Sequence, residues 1–185
     1  AKGPHLFAQP DFRAGLGRLT ALGLSLDAWQ FHPQLRDTID LARAFPDANI
    51  IVGHCGGPLG YGPYAGKKDE VFASWKAHVA ELARCENVSM KLGGMMMRLA
   101  AFDYGALPAP PSSTELADHW RPYIEACIER FGANRCLFES NFPVEKMGIG
   151  YAALWNAFKH IVAGASKDEK LAMFSGTARR VYRLS

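Results

Sequence analysis

The feature that most limits how this chain can fold is a strand-like run followed by a helix-like run, repeated four times. GLSLDAWQF (23–31) leads into PQLRDTIDLARAF (33–45), and ANIIVGH (48–54) into DEVFASWKAHVAELARC (69–85). NVSMKLG (87–93) precedes SSTELADHWRPYIEACIERFG (112–132), and RCLFESN (135–141) precedes YAALWNAFKHIVAG (151–164). The strand-like runs are short and apolar, and each connection is long enough to be a crossover. This order predicts parallel strands covered by helices, in either a barrel or an open doubly wound sheet. Within 69–85, Val71, Phe72, Trp75, Val79 and Leu82 recur at helical period on one face. Ser112 with Glu115, and Ser166 with Glu169, have the spacing of capping boxes at helix starts. Pro122 predicts a start or a kink within 112–132. Residues 11–22 read as a helix with no strand before it, so the chain opens in the middle of a unit. Four units are half of an eight-fold barrel, which normally takes roughly 250 residues.

Composition narrows the function classes. The 185 residues are 49% hydrophobic and 21% charged, the mix of a globular domain with a real core. The net charge of +3 is small and the basic residues are dispersed, which argues against a nucleic-acid partner. No apolar run approaches the roughly 18 residues that span a bilayer. AKGPHLFAQPDF lacks the apolar stretch of about 7 to 15 residues that marks a signal peptide. Cys55, Cys85, Cys127 and Cys136 show no metal-finger spacing and read as reduced, mostly buried thiols of a cytoplasmic protein.

In parallel α/β proteins the chemistry sits at the carboxyl ends of the strands. Here each strand-like run turns polar at that end: Gln30 and His32, His54 and Cys55, Lys91, then Glu139 and Asn141. Strand residues two apart share a face, so Glu139 and Asn141 are expected to point together. His54 is followed by Gly56, Gly57 and Pro58, which leave room for a ligand. Its imidazole could hold a metal, take a proton or bond a substrate carbonyl; the plainer reading is a core histidine bonded to backbone. His32, next to Pro33, is either a ligand contact or a helix cap. Lys91 either anchors a substrate carboxylate or reaches solvent. Glu139 is either a catalytic carboxylate or the ion-pair partner of Lys91. Asn141 either serves the site or bonds loop backbone. His5, His78, His119 and His160 read as surface or packing residues. The apolar loop from Gly93 to Pro111, with GGMMM at its start, is long enough to be a lid.

Taken together, LDAWQFHPQL, LARAFPDANIIVGHCGGP, VSMKLGG, RCLFESNFPVEK and FSGTARRVYRL resemble the amidohydrolase-related family of TIM-barrel hydrolases. The likeness is to the branch that holds aldonolactonases and the lactonase of pyrone dicarboxylates. It implies that residues 1–185 are the C-terminal part of one distorted (β/α)8 TIM-barrel domain, carrying strands five to eight. It matches His54 to the histidine ending strand six. Asn141 stands where the family has an aspartate that serves as base or metal ligand, and Glu139 could supply the displaced carboxylate. The family's strand-one HxH pair has no counterpart. The resemblance thus implies a hydrolase of a lactone or related cyclic ester or amide of a small carboxylated or sugar-derived compound. A zinc-dependent decarboxylase and a non-catalytic ligand-binding barrel are the alternatives. The implied roles are catalytic for His54, Glu139 and Asn141, and substrate-binding for His32, Lys91 and Gln30. A divalent metal such as zinc at His54 and a metal-free site are both compatible with these residues. A half-barrel has two open edges and a bare inner face, which implies a homo-oligomer or assembly with an upstream half-barrel segment.

Overall fold

A computed structural model of the chain describes residues 5–96, 99, 104 and 107–185. The elements run α1 (Pro10–Ala21), β1 (Ser25–Ala28), α2 (Leu35–Ala44), β2 (Asn49–Val52), α3 (Lys68–Leu82) and β3 (Val88–Leu92). They continue with α4 (Ser113–Phe131), β4 (Cys136–Phe138), α5 (Tyr151–Ile161), α6 (Lys167–Leu171), a π-helical turn over Ala172–Gly176, and α7 (Thr177–Tyr182). The strands form one sheet in the order β1–β2–β3–β4, every neighbouring pair parallel, as the alternation predicts.

Register fixes which side chains share a face. Ala28, Val52, Met90 and Cys136 lie side by side, and so do Asp27, Ile51 and Ser89, with Lys91 beside Leu137. The first face carries the main core. There Ile50, Val52, Met90, Leu92, Cys136 and Phe138 pack with Leu35 and Ile39 of α2, Trp75 and Val79 of α3, Trp120 of α4 and Phe158 of α5. Ile50, Ile51 and Val52 are all fully buried, which is why ANIIVGH lacks polar alternation. All four cysteines are buried and unbridged.

The second face of the sheet is not bare. α7 folds back onto it, where Val181 packs with Ile51 and Leu137. The Asn49 side-chain amide donates to the Val181 carbonyl at 2.8 Å, and the Tyr182 hydroxyl donates to Asp27 at 2.8 Å. Among the described residues β1 and β4 each pair on one side only, so both sheet edges are open.

α4 passes through Pro122 without stopping. A proline in a helix interior costs about 3 kcal/mol, through one lost hydrogen bond and a clash of its ring with the preceding turn. Burial of Trp120, Tyr123, Ile124 and Cys127 on that helix outweighs the loss. Both capping boxes form: Glu115 N–H donates to Ser112 Oγ and Glu169 N–H to Ser166 Oγ, each at 3.2 Å. The expected lid over 93–111 falls in part on residues 97, 98, 100–103, 105 and 106, which lie outside the described ones; Met95, Met96, Leu99 and Tyr104 are buried. No helix of the described residues is long and apolar enough to cross a membrane.

Candidate active site

The site is built on the turn that leaves β2. His54, Cys55, Gly56 and Gly57 all have positive φ, at 54°, 52°, 71° and 59°. A non-glycine residue in this region costs on the order of 1 kcal/mol or more and persists only where neighbours hold it. Here the Trp75 indole N–H donates to the Cys55 carbonyl at 2.7 Å, and the His54 N–H donates to Glu139 Oε1 at 2.9 Å. The turn therefore swings the His54 ring across to the end of β4, where Nδ1 lies 2.5 Å from the same Glu139 oxygen. A carboxylate only accepts, so Nδ1 carries a proton, and in the neutral imidazole Nε2 then holds the lone pair. Both side chains are about one-seventh exposed, at 14% and 15%. Water reaches the pair, while partial burial strengthens their attraction.

Lys91 completes the charge arrangement. Its Nζ lies 2.6 Å from Asp27 Oδ1, 3.9 Å from Glu139 Oε2 and 5.4 Å from the centre of the Tyr182 ring. Burial works to lower its pKa, but the Asp27 and Tyr182 bonds and the charge of Glu139 outweigh that and hold it above the usual lysine value. Lys91 is therefore a fixed cation whose charge Asp27 already matches. Trp29, half-exposed at the end of β1, sets its ring edge-on to His54 at 4.3 Å between centroids.

Gln30 and His32 make their bonds elsewhere. The Gln30 amide donates to the Thr38 hydroxyl on α2. His32 Nδ1 accepts from the Leu59 N–H at 3.1 Å, and its ring meets Tyr64 edge-on. Burial lowers the His32 pKa, against the bond to Gly57. Both residues hold loops to the helical side of the sheet rather than joining His54. Trp29, directly after β1 and next to Gln30, is the residue of this segment whose ring meets His54.

The structure also corrects the idea that Glu139 and Asn141 share a strand face. β4 ends at Phe138, and Asn141 has φ 51°, so period-two reasoning does not reach it. Its Nδ2 donates to Glu145 Oε1 at 2.9 Å. Glu145 is the residue that sequence reasoning missed. It is fully buried, whereas its neighbours Val144 and Met147 are 40% and 75% exposed, the reverse of what their chemistry suggests. Burial pushes its pKa up to about 7, against the bonds from Asn141 and the Met96 N–H and the field of His54, with Glu139 adding to the rise.

That shift makes stability depend on pH. The folded pKa lies above the ordinary 4.5, so folding favours the protonated form. The resulting stability is fully present below about pH 4.5 and is lost as pH rises through about 7; the interval corresponds to about 3 kcal/mol. Chemical denaturation at pH 5 and pH 8 is expected to show this fall in the native chain and a flatter profile in Glu145→Gln. Parallel profiles would contradict it.

A parallel sheet with a histidine–carboxylate pair at its carboxyl ends defines the class: an α/β protein with an enzyme-like site. The chain matches the amidohydrolase family over residues 2–184 and belongs to it. It is 34% identical over 181 residues to the uncharacterized protein y4mH of Sinorhizobium fredii, covering 98% of this chain and 54% of that one. It is 26% identical over 179 residues to an L-fucono-1,5-lactonase of Burkholderia ambifaria, covering 95% and 55%. A crystal structure of an amidohydrolase from Burkholderia multivorans with bound zinc superposes with a TM-score of 0.84 at 25% identity, covering 97% of this chain and 59% of that one. The chain thus spans about half the length of the curated relatives it matches.

Zinc in that structure raises the question of fit. A zinc site needs three or four protein donors. Here Glu139 is engaged by His54, and His32 Nδ1 by Leu59. Among the described residues no group of three His, Cys, Asp or Glu side chains is placed to hold a metal. These residues do not by themselves form a metal site.

Proposed function

We propose that this chain carries the site-bearing half of a barrel hydrolase that opens a lactone of a small sugar-derived or carboxylated acid. The observation that carries this reading is the His54–Glu139 pair, which turns Nδ1 to the carboxylate and leaves Nε2, in the neutral imidazole, as the free base. In this reading Nε2 takes a proton from water as the oxygen attacks the lactone carbonyl. Glu139 stabilises the imidazolium that forms. The ring C–O bond then breaks, and the imidazolium returns its proton to the leaving alkoxide, giving the open hydroxy acid. Lys91, matched by Asp27, holds Glu139 in place rather than gripping substrate. Trp29 offers a flat apolar wall beside the imidazole. Asn141 contributes an amide dipole at the same mouth. The lactonase named among the relatives supports the substrate class.

In the same reading β1–β4 are strands five to eight of the barrel, and the remaining strands pair with the open edges of β1 and β4. Two open parallel edges and the half-length match to the relatives support this. The test is acid release at constant pH from a panel of aldonolactones and pyrone lactones, with the first half of the barrel supplied on the same or a second chain. Ring opening abolished by His54→Ala is the expected result. A completed barrel that opens no lactone overturns the proposal.

A further inference from the structure

Glu145 lies fully buried beside the site, and the reaction proposed above does not use it. A buried carboxylate survives only with partners that compensate its desolvation. Oε1 accepts from Asn141 Nδ2 at 2.9 Å and Oε2 accepts from the Met96 N–H at 3.1 Å. Its own N–H donates to the Asn141 carbonyl at 3.2 Å, which ties the two residues a second time. Met96 ends the Gly93–Met96 segment, and that segment lies directly on the catalytic pair: a methyl group on Gly93 would meet the Glu139 side chain, and one on Gly94 would overlap the His54 ring. One carboxylate therefore places one oxygen on each of the two loops that enclose His54 and Glu139.

We propose that Glu145 is a positioning residue of this site: its ionised carboxylate fixes the flip of the Asn141 amide and clamps the Gly93–Met96 segment against His54 and Glu139. An amide whose Nδ2 is held by a carboxylate presents Oδ1 on the opposite side, as an acceptor. The ionised carboxylate accepts both N–H groups, whereas a protonated one turns a hydroxyl toward a donor and weakens one link. The titratable groups facing Glu145 are His54, Glu139 and Tyr104. The inference rests on the hydrolase reading for its catalytic consequence, but the link itself is independent of any substrate.

The test uses both levels. In proton–nitrogen correlation spectra, the Asn141 side-chain amide, assigned by its loss in Asn141→Asp, is expected to shift with a midpoint near pH 7 in the native chain and not in Glu145→Gln. Glu145→Gln alone leaves one N–H facing an amide donor, and Asn141→Asp alone sets two carboxylates together. Each single variant is expected to lower kcat about tenfold with little change in KM. The exchange Asn141→Asp with Glu145→Gln lets residue 145 donate to residue 141 and still accept from Met96, so it is expected to recover kcat and melting temperature to within about threefold and a few degrees of native. An Asn141 amide that does not titrate overturns the proposal, and so does an exchange variant no better than the singles. If the native protein opens no lactone, the spectra and melting temperatures still decide the link, and only the hydrolase reading fails.

Discussion

Glu139→Gln is expected to lower turnover by roughly 10²- to 10⁴-fold while the fold survives. Glutamine keeps the shape of the side chain and can still accept from the His54 N–H. It removes the charge that fixes the proton on Nδ1 and stabilises the imidazolium, and Lys91 then stands 3.9 Å from a neutral amide. Stability should change by only about 1–2 kcal/mol, because one partly exposed ionic hydrogen-bond partner is exchanged for a neutral one. Turnover on a lactone that the completed barrel opens, measured beside a denaturation curve, separates the two effects. Undiminished turnover would show that Glu139 is a structural ion-pair partner and that the catalytic carboxylate lies elsewhere.

The second large effect is expected from Gly94→Ala. Gly94 has φ 68°, a conformation in which a side chain is strained, and an added Cβ would overlap His54 at Nδ1 and Cγ. Backbone strain and overpacking together should cost about 1–3 kcal/mol. The larger consequence is catalytic. The ring must move away from Glu139, and a displacement of about 1 Å at a reacting group costs on the order of 100-fold in rate. Gly164, with no neighbour near its missing Cβ, provides the control, since alanine there meets nothing. Full activity in Gly94→Ala would mean that the His54–Glu139 contact is not the working geometry.

Where pattern alone decides structure, the sequence could be read. Apolar runs such as ANIIVGH can satisfy their backbone and bury both faces only as inner strands of a parallel sheet. Trp75, Val79 and Leu82 can be buried together only on one face of a helix. The capping boxes at Ser112 and Ser166 are local and form as their spacing predicts. His54 and Glu139 stood out because each puts a polar group at the end of an apolar strand.

What remained hidden depends on contacts between distant parts of the chain. Two residues separated by 85 positions meet because a left-handed turn, held by Trp75, redirects His54 toward β4. Gln30 and His32 sit at strand ends just as His54 does, yet their bonds go to Thr38 and Leu59. Nothing in PVEKMG marks Glu145 as buried, because its burial comes from the loops after β3 and β4 closing over a short 3₁₀ turn. Periodicity fixes the strands and helices because it acts within one element. The identity of each site partner is a property of how elements meet, and only the tertiary structure decides that.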